Sequence, residues 1–285
     1  MSASADAVAL PLTDRRGGTS GAAPRVALAI LLVMAVAAVV APLLLPAAGD
    51  TMDLAARRAP PTLGHLFGTD ELGRDVLARV LVGARVSLAI GLFSALLSVF
   101  VGSVVGAVGG FVGGWVDAAL MRVTDAMLAI PRLPFLMIVA AILQPSIPLL
   151  IVLVGIAGWM ETARVVRAEV LSLAQRGFVE AAHATGVSRP QVLAAHILPN
   201  VLGTIAVSAT LAVGRGILLE SALSFFGVGV QPPAASWGNM LYQAQTTLTS
   251  EPWLAIFPGI AIFATVFCVN IVGESLARVG DEAQA

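Results

Sequence analysis

FVEAAHATGVSRPQVLAAHILPN occupies residues 178–200 of a chain that is otherwise built mostly from apolar runs. This stretch gathers Glu180, His183, Arg189 and His196 and breaks at a glycine and a proline. Residues 176–185 suit a short helix on which Ala181 and Ala182 leave a shallow surface. Gly186 permits a turn that residues with a Cβ resist. Ser188, with Gln191 three residues on, has the spacing of a capping box. Pro190 fits a first helical turn, where its missing N–H is not required. Val192, Leu193, Ile197 and Leu198 supply the apolar side of a second helix, which Pro199 is expected to end. The reading is a rigid helix–turn–helix outside the lipid, anchored at both ends and so able to transmit force.

The surroundings fix the class. Of 285 residues, 58% are hydrophobic and 12% charged, about half the charge of a typical soluble domain, which is about 25%. Apolar runs cover 26–45, 86–112, 118–143 (interrupted by Pro131, Arg132 and Pro134), 148 to the region 161–167, 201–226 and 253–272. The expectation is an all-α polytopic membrane protein with six transmembrane helices. Residues 1–24 read as a flexible cytoplasmic tail and 25–285 as one transmembrane domain. The first run is too long for the apolar core of a signal peptide, so it is read as an uncleaved span despite Arg15 and Arg16 before it.

Six spans place both termini on one side of a plasma membrane, and arginines choose it. Arg15, Arg16 and Arg25 precede the first span, Arg164, Arg167, Arg176 and Arg189 lie between the fourth and fifth, and Arg278 follows the sixth. By the positive-inside rule the termini and the 164–200 segment are cytoplasmic, and 227–252, which has no arginine, is an external loop. The five arginines of 47–85 run against that count.

All 16 basic residues are arginines. A P-loop needs its lysine on the phosphates, so this chain has no Walker A motif, and any ATP-driven work requires another chain. A net charge of −1 gives no footprint for nucleic acid. Cys268 is the single cysteine, and His65, His183 and His196 are scattered without metal spacing, so no metal site is expected. No catalytic constellation converges, and the chain does not read as an enzyme.

Three further stretches carry expectations. In 67–88, Thr69 or Asp70 is expected to cap a helix with Leu72, Val76, Leu77, Val80 and Leu81 as its stripe, lying on the outer surface or packed as a connector. Gly102, Gly106, Gly110 and Gly114, four apart, form one smooth ridge. It is read as the bed for another helix of this chain, with a partner subunit as the alternative. Arg122 and Asp125 have the spacing of a structural ion pair.

Arg132 and Arg215 fall inside apolar runs. Each is 15 residues from a presumptive cytoplasmic edge, Asp117 and Asn200, hence roughly 20 Å deep. A charge at that depth needs a wet cavity or a partner. One reading has both arginines, with Glu220, lining a translocation path and attracting an anionic group such as a peptide carboxylate. The other has Arg215 paired with Glu220, or either arginine snorkelling. Bare divalent cations suit neither.

Glu180-Ala181-Ala182, Gly186 and Leu198-Pro199, with the proline thirteen residues past the glycine, resemble the EAA motif of ABC importer permeases. His196-Ile197-Leu198-Pro199 resembles the peptide-transport branch. FGTDELGRDVLARVLVGARVSL (67–88) and LLESALSFFGVGVQPPAASWGNML (218–241) are similar to the C-type permeases of dipeptide, oligopeptide and nickel importers. The resemblance covers about 60–275 and implies the type I importer permease fold, with the EAA segment docking in a groove of an ATPase subunit. It implies a homologous second permease, two ATPases that bind ATP and Mg, and an external substrate-binding protein. The substrate it implies is a peptide or peptide-like solute, or alternatively a nickel complex. An autonomous secondary transporter, a different class, would not need the docking element. Arg132 and Arg215 depart from the family pattern, as does the ending after Gly273-Glu274-Ser275-Leu276.

Overall fold

The computed structural model describes residues 21–44, 51–144 and 146–284. The helices in chain order are α1 Ala22–Leu44, α2 Val76–Val112, α3 Gly114–Ala129, α4 Arg132–Leu143, α5 Ile147–Ile156, α6 Trp159–Ala174, α7 Gly177–Ala184, α8 Arg189–Val192, α9 Leu198–Phe225, α10 Trp237–Ala244 and α11 Trp253–Gln284. Among the described residues there is no strand, only an isolated bridge between Thr69 and Asp75. Residues 1–20 of the expected tail lie outside the described residues, and Ala22, Ala23 and Pro24 already belong to α1.

α1, α2, α11 and the α8–α9 unit are each long and apolar enough to cross a membrane. The other two spans are broken helices. α3 and α4 bend by 81° and α5 and α6 by 41°, and counting each pair once gives six. Pro131 explains the sharper break. It holds Ile130 extended, at φ −81° and ψ 125°, because the proline ring disfavours a helical residue before it.

α2 is the central post. Its 37 residues extend about 55 Å, well beyond a hydrocarbon core of roughly 30 Å. α6 and α9 pack along it with α5 and α1 beside them, and α11 packs mainly on α9 and α1. The glycine ridge is the α6 bed. A Cβ on Gly102 would stand 2.6 Å from the Trp159 carbonyl oxygen, one on Gly106 2.5 Å from that of Ala163, and one on Gly110 2.9 Å from that of Arg167. Packing within this chain therefore accounts for three of the four ridge glycines. Gly114 instead starts α3 and has no atom within 4 Å of its Cβ position.

The helix expected to start at Thr69 or Asp70 starts at Val76. Gly68 and Gly73 have φ of 73° and 74°, which no right-handed helix accepts, and Asp75 is the cap, accepting from the Ala78 N–H at 2.9 Å. Asp70 is instead the centre of a buried loop. It accepts from the Leu72 and Arg74 backbone N–H groups and from Arg74 Nε at 2.7 Å, with Arg79 Nε at 3.6 Å. Among the described residues of this segment there is no separate surface helix, because α2 simply continues from Val76 through the core.

The 227–252 segment folds back into the bundle. Ser236 caps α10, accepting from the Asn239 N–H at 3.2 Å. Trp237 is fully buried, and its indole donates to the Val80 carbonyl at 2.9 Å. Trp237 and Asn239, within the segment read as an external loop, are thus core residues.

Candidate coupling hairpin and charge cluster

The hairpin 177–197 is held from beneath. Val179 and Ala182 of α7, and Val192, Ile197 and Val201 beyond the turn, pack with Ala107, Val166, Val170 and Leu173 of α2 and α6 in one buried cluster. Burial of each valine- or isoleucine-sized side chain contributes about 1.5–3 kcal/mol, enough to seat the hairpin firmly. Glu180, Ala181, Gly186 and Pro199 are exposed, whereas Leu198 is half-buried and packs against this cluster.

Local hydrogen bonds fix the turn. The Val187 N–H donates to the Ala182 carbonyl at 3.1 Å with Gly186 at φ 81°, the six-to-one closure of a Schellman motif. The Thr185 hydroxyl donates to the same carbonyl at 3.0 Å. Gln191 Oε1 accepts from the Ser188 N–H at 3.3 Å and from its hydroxyl at 2.8 Å, the back-bond of the expected capping box. The expected stop at Pro199 does not occur. Residues Leu193–Ile197 widen into one π turn and the chain runs on as α9. The wide turn leaves room for a proline ring that would otherwise strike the carbonyl four residues back.

Two ion pairs brace α3 against α6 near this end. Arg167 grips Asp117 with both Nε and Nη2, and Arg164 Nη2 donates to Asp125 Oδ1. Asp125 thus pairs across helices with Arg164, in place of the expected i,i+3 pair with Arg122.

Deeper in the bundle, Arg132 at the start of α4 and Arg215 in α9 meet at one acid, Glu161 of α6. Arg132 Nη2 donates to Glu161 Oε1 at 2.9 Å, and Arg215 Nη1 binds Glu161 Oε2. The three side chains are 23%, 36% and 37% exposed for Arg132, Arg215 and Glu161, and they carry a net charge of +1. Glu161 was not among the residues the sequence pointed to, because it sits where the fourth run was read as leaving the membrane. The available signal was charge balance: two arginines at one depth require an acid. Glu220, the expected partner of Arg215, is fully buried elsewhere. It accepts from Ser224 at 2.8 Å and Ser87 at 3.2 Å, with Ser221 at 3.5 Å. It ties α9 to α2 and is not exposed to any path.

Residues 98–279, which contain both the hairpin and the charge cluster, match the family model of the binding-protein-dependent transport system inner membrane component. The chain belongs to this family. Relatives agree over nearly the full length. The chain is 42% identical over 251 residues to the oligopeptide transport system permease protein OppC of Escherichia coli (strain K12), covering 87% of this chain and 83% of that one. The OppC proteins of Salmonella typhimurium and Haemophilus influenzae are 42% and 39% identical over the same length, covering 83% and 81% of those chains. As an inner membrane component of such a system, the chain is a multi-pass membrane protein and a transport subunit, which removes the autonomous secondary transporter. Among the described residues no group of three or more metal-ligating side chains converges.

Proposed function

We propose that this chain is the permease subunit of an ATP-driven importer of oligopeptides. The observation that carries the coupling part is the hairpin itself: a stiff turn on a buried base, with Glu180, Ala181 and Gly186 left bare at its tip. A protein that only had to connect two spans would not need so ordered an exposed surface. The hairpin receives an ATPase subunit, which binds ATP and Mg, and closure of two such ATPases moves the hairpin and through it α6 and α9. A homologous second permease completes the path, and an external binding protein delivers substrate. The hairpin and both termini are cytoplasmic in a prokaryotic plasma membrane, a placement supported by the arginine bias, and the chain itself performs no catalysis. On this reading residues 25–285 form the permease domain.

The peptide substrate rests on the named relatives, which are oligopeptide permeases, and on the net positive cluster, which favours an anionic group over a bare cation. A nickel complex is the weaker reading. Arg132 and Arg215 line the path, because a cluster left one-quarter to one-third exposed at this depth cannot face hydrocarbon without a large penalty. Reconstitution of the full importer in vesicles tests this. Uptake of a tripeptide is expected only with ATP inside the ATPase compartment and loaded binding protein outside. Uptake driven by an ion gradient without ATP would contradict it.

A further inference from the structure

Arg132 belongs to two recesses at once. On one side it joins Arg215, Ser94, Ser98 and Gly158 around a narrow cleft. Ser98 is 3% exposed, and its hydroxyl has no hydrogen-bond partner among the described residues. A buried hydroxyl without a partner is destabilising unless something arrives to accept from it. On the other side, Arg132 stands at the rim of an apolar pocket of about 140 Å³ at the α3–α4 bend. Ile130, Leu136, Val139, Ala157 and Met160 contribute its walls. That is close to the volume, roughly 150 Å³, of an apolar cavity that accepts a benzene-sized guest.

We propose that the cleft and the pocket form one subsite for the C-terminal residue of a transported peptide. The substrate carboxylate takes the place of Glu161 between Arg132 and Arg215 and accepts from the Ser98 hydroxyl. The terminal apolar side chain enters the pocket beside them. Glu161 is the resident counter-ion. It neutralises one arginine while the site is empty, and the remaining positive charge matches one carboxylate. The spacing suits this ligand, since the carboxylate and side chain of an amino acid leave the same Cα and Arg132 borders both recesses. A bound lipid or a side chain of the second permease could fill the pocket, but neither accounts for the two arginines and the unsatisfied hydroxyl beside it.

This subsite rests on the reading of Arg132 and Arg215 as path residues. The test is ATP-driven uptake by the complete importer in vesicles, with affinity of the binding protein for each probe measured separately. The probes are glycyl-glycyl-leucine, its C-terminal amide, and triglycine. Wild type is expected to take up the free acid faster than the amide at equal binding-protein saturation. Val139→Phe fills the pocket and lowers uptake of the leucine-ended peptide about tenfold, the scale of discrimination by an apolar pocket, with triglycine little changed. Arg132→Gln with Arg215→Gln removes the preference for acid over amide. Glu161→Gln, which removes the competing carboxylate, lowers KM for the free acid more than it changes kcat. Wild-type uptake with unchanged ratios in all these variants would overturn the subsite alone. Absence of ATP-driven uptake of every probe by the wild type would overturn the importer reading, and the subsite with it.

Discussion

Gly186 has φ of 81° and no atom within 4 Å of where a Cβ would stand, so its requirement is conformational and not steric. Gly186→Ala is expected to destabilise the hairpin by about 1–2 kcal/mol, the cost of a left-handed residue with a Cβ. The midpoint of thermal unfolding in detergent should fall by only a few degrees, about 2–4 °C per kcal/mol at this size. Glu161 is the opposite case, a residue whose value lies in its partners. Glu161→Ala leaves Arg132 and Arg215 facing each other with no acid between them. A charged hydrogen bond contributes about 1.5–3 kcal/mol, and partial exposure discounts this pair toward the lower figure. The variant should be less stable than wild type, and Glu161→Ala combined with Arg215→Leu should recover part of the loss. No recovery in the double variant would mean that the pair is not coupled.

At the scale of elements, the glycine ridge of α2 decides how closely α6 can lie. Gly106→Leu would drive a side chain into the Ala163 carbonyl, whereas Gly203 on α9 has open space around it. The first substitution should destabilise by about 1–3 kcal/mol, as overpacking does, and Gly203→Leu should be neutral or slightly stabilising, since leucine has the better helix propensity. Equal shifts in thermal midpoint would refute the ridge as a packing device. Elements whose signals are local were legible in the sequence. The Ser188–Gln191 pair, the turn at Gly186, the break at Pro131 and the four-residue glycine spacing all lie within a few residues of what they control. Elements decided by distant partners were not. Thr69 and Asp70 read as helix caps until the positive-φ glycines and the buried arginines beside them are placed. Glu161 became visible only when α4, α6 and α9 met. Trp237 looked like a loop residue because its burial depends on Val80, far away in sequence. Pro199 read as a terminator because a π turn has no signature that spacing alone reveals.

At the scale of the molecule, the hairpin and the charge cluster share supports. α6 carries Glu161 near its start and feeds the hairpin at its end, and α9 leaves the hairpin and carries Arg215. A displacement of the hairpin therefore reaches the cluster along α9 directly and along α6 through the two-residue turn Gln175–Arg176. On the proposed reading, ATPase closure would move the hairpin and shift α6 and α9 relative to α4, opening or closing the Arg132–Glu161–Arg215 contact. The most direct measurement is co-purification of the tagged chain in mild detergent with its ATPase subunits, comparing wild type with Gly186→Trp. A Cβ at this position meets no atom within 4 Å, and the substitution places a bulky ring on the exposed tip, in a backbone conformation it resists. The account predicts that wild type retains a P-loop subunit with ATPase activity, and that the variant loses it while keeping a monodisperse profile and a thermal midpoint lowered by no more than the few degrees expected of Gly186→Ala. A variant that stays folded and keeps its full complement of ATPase would contradict the assignment of the hairpin as the coupling element.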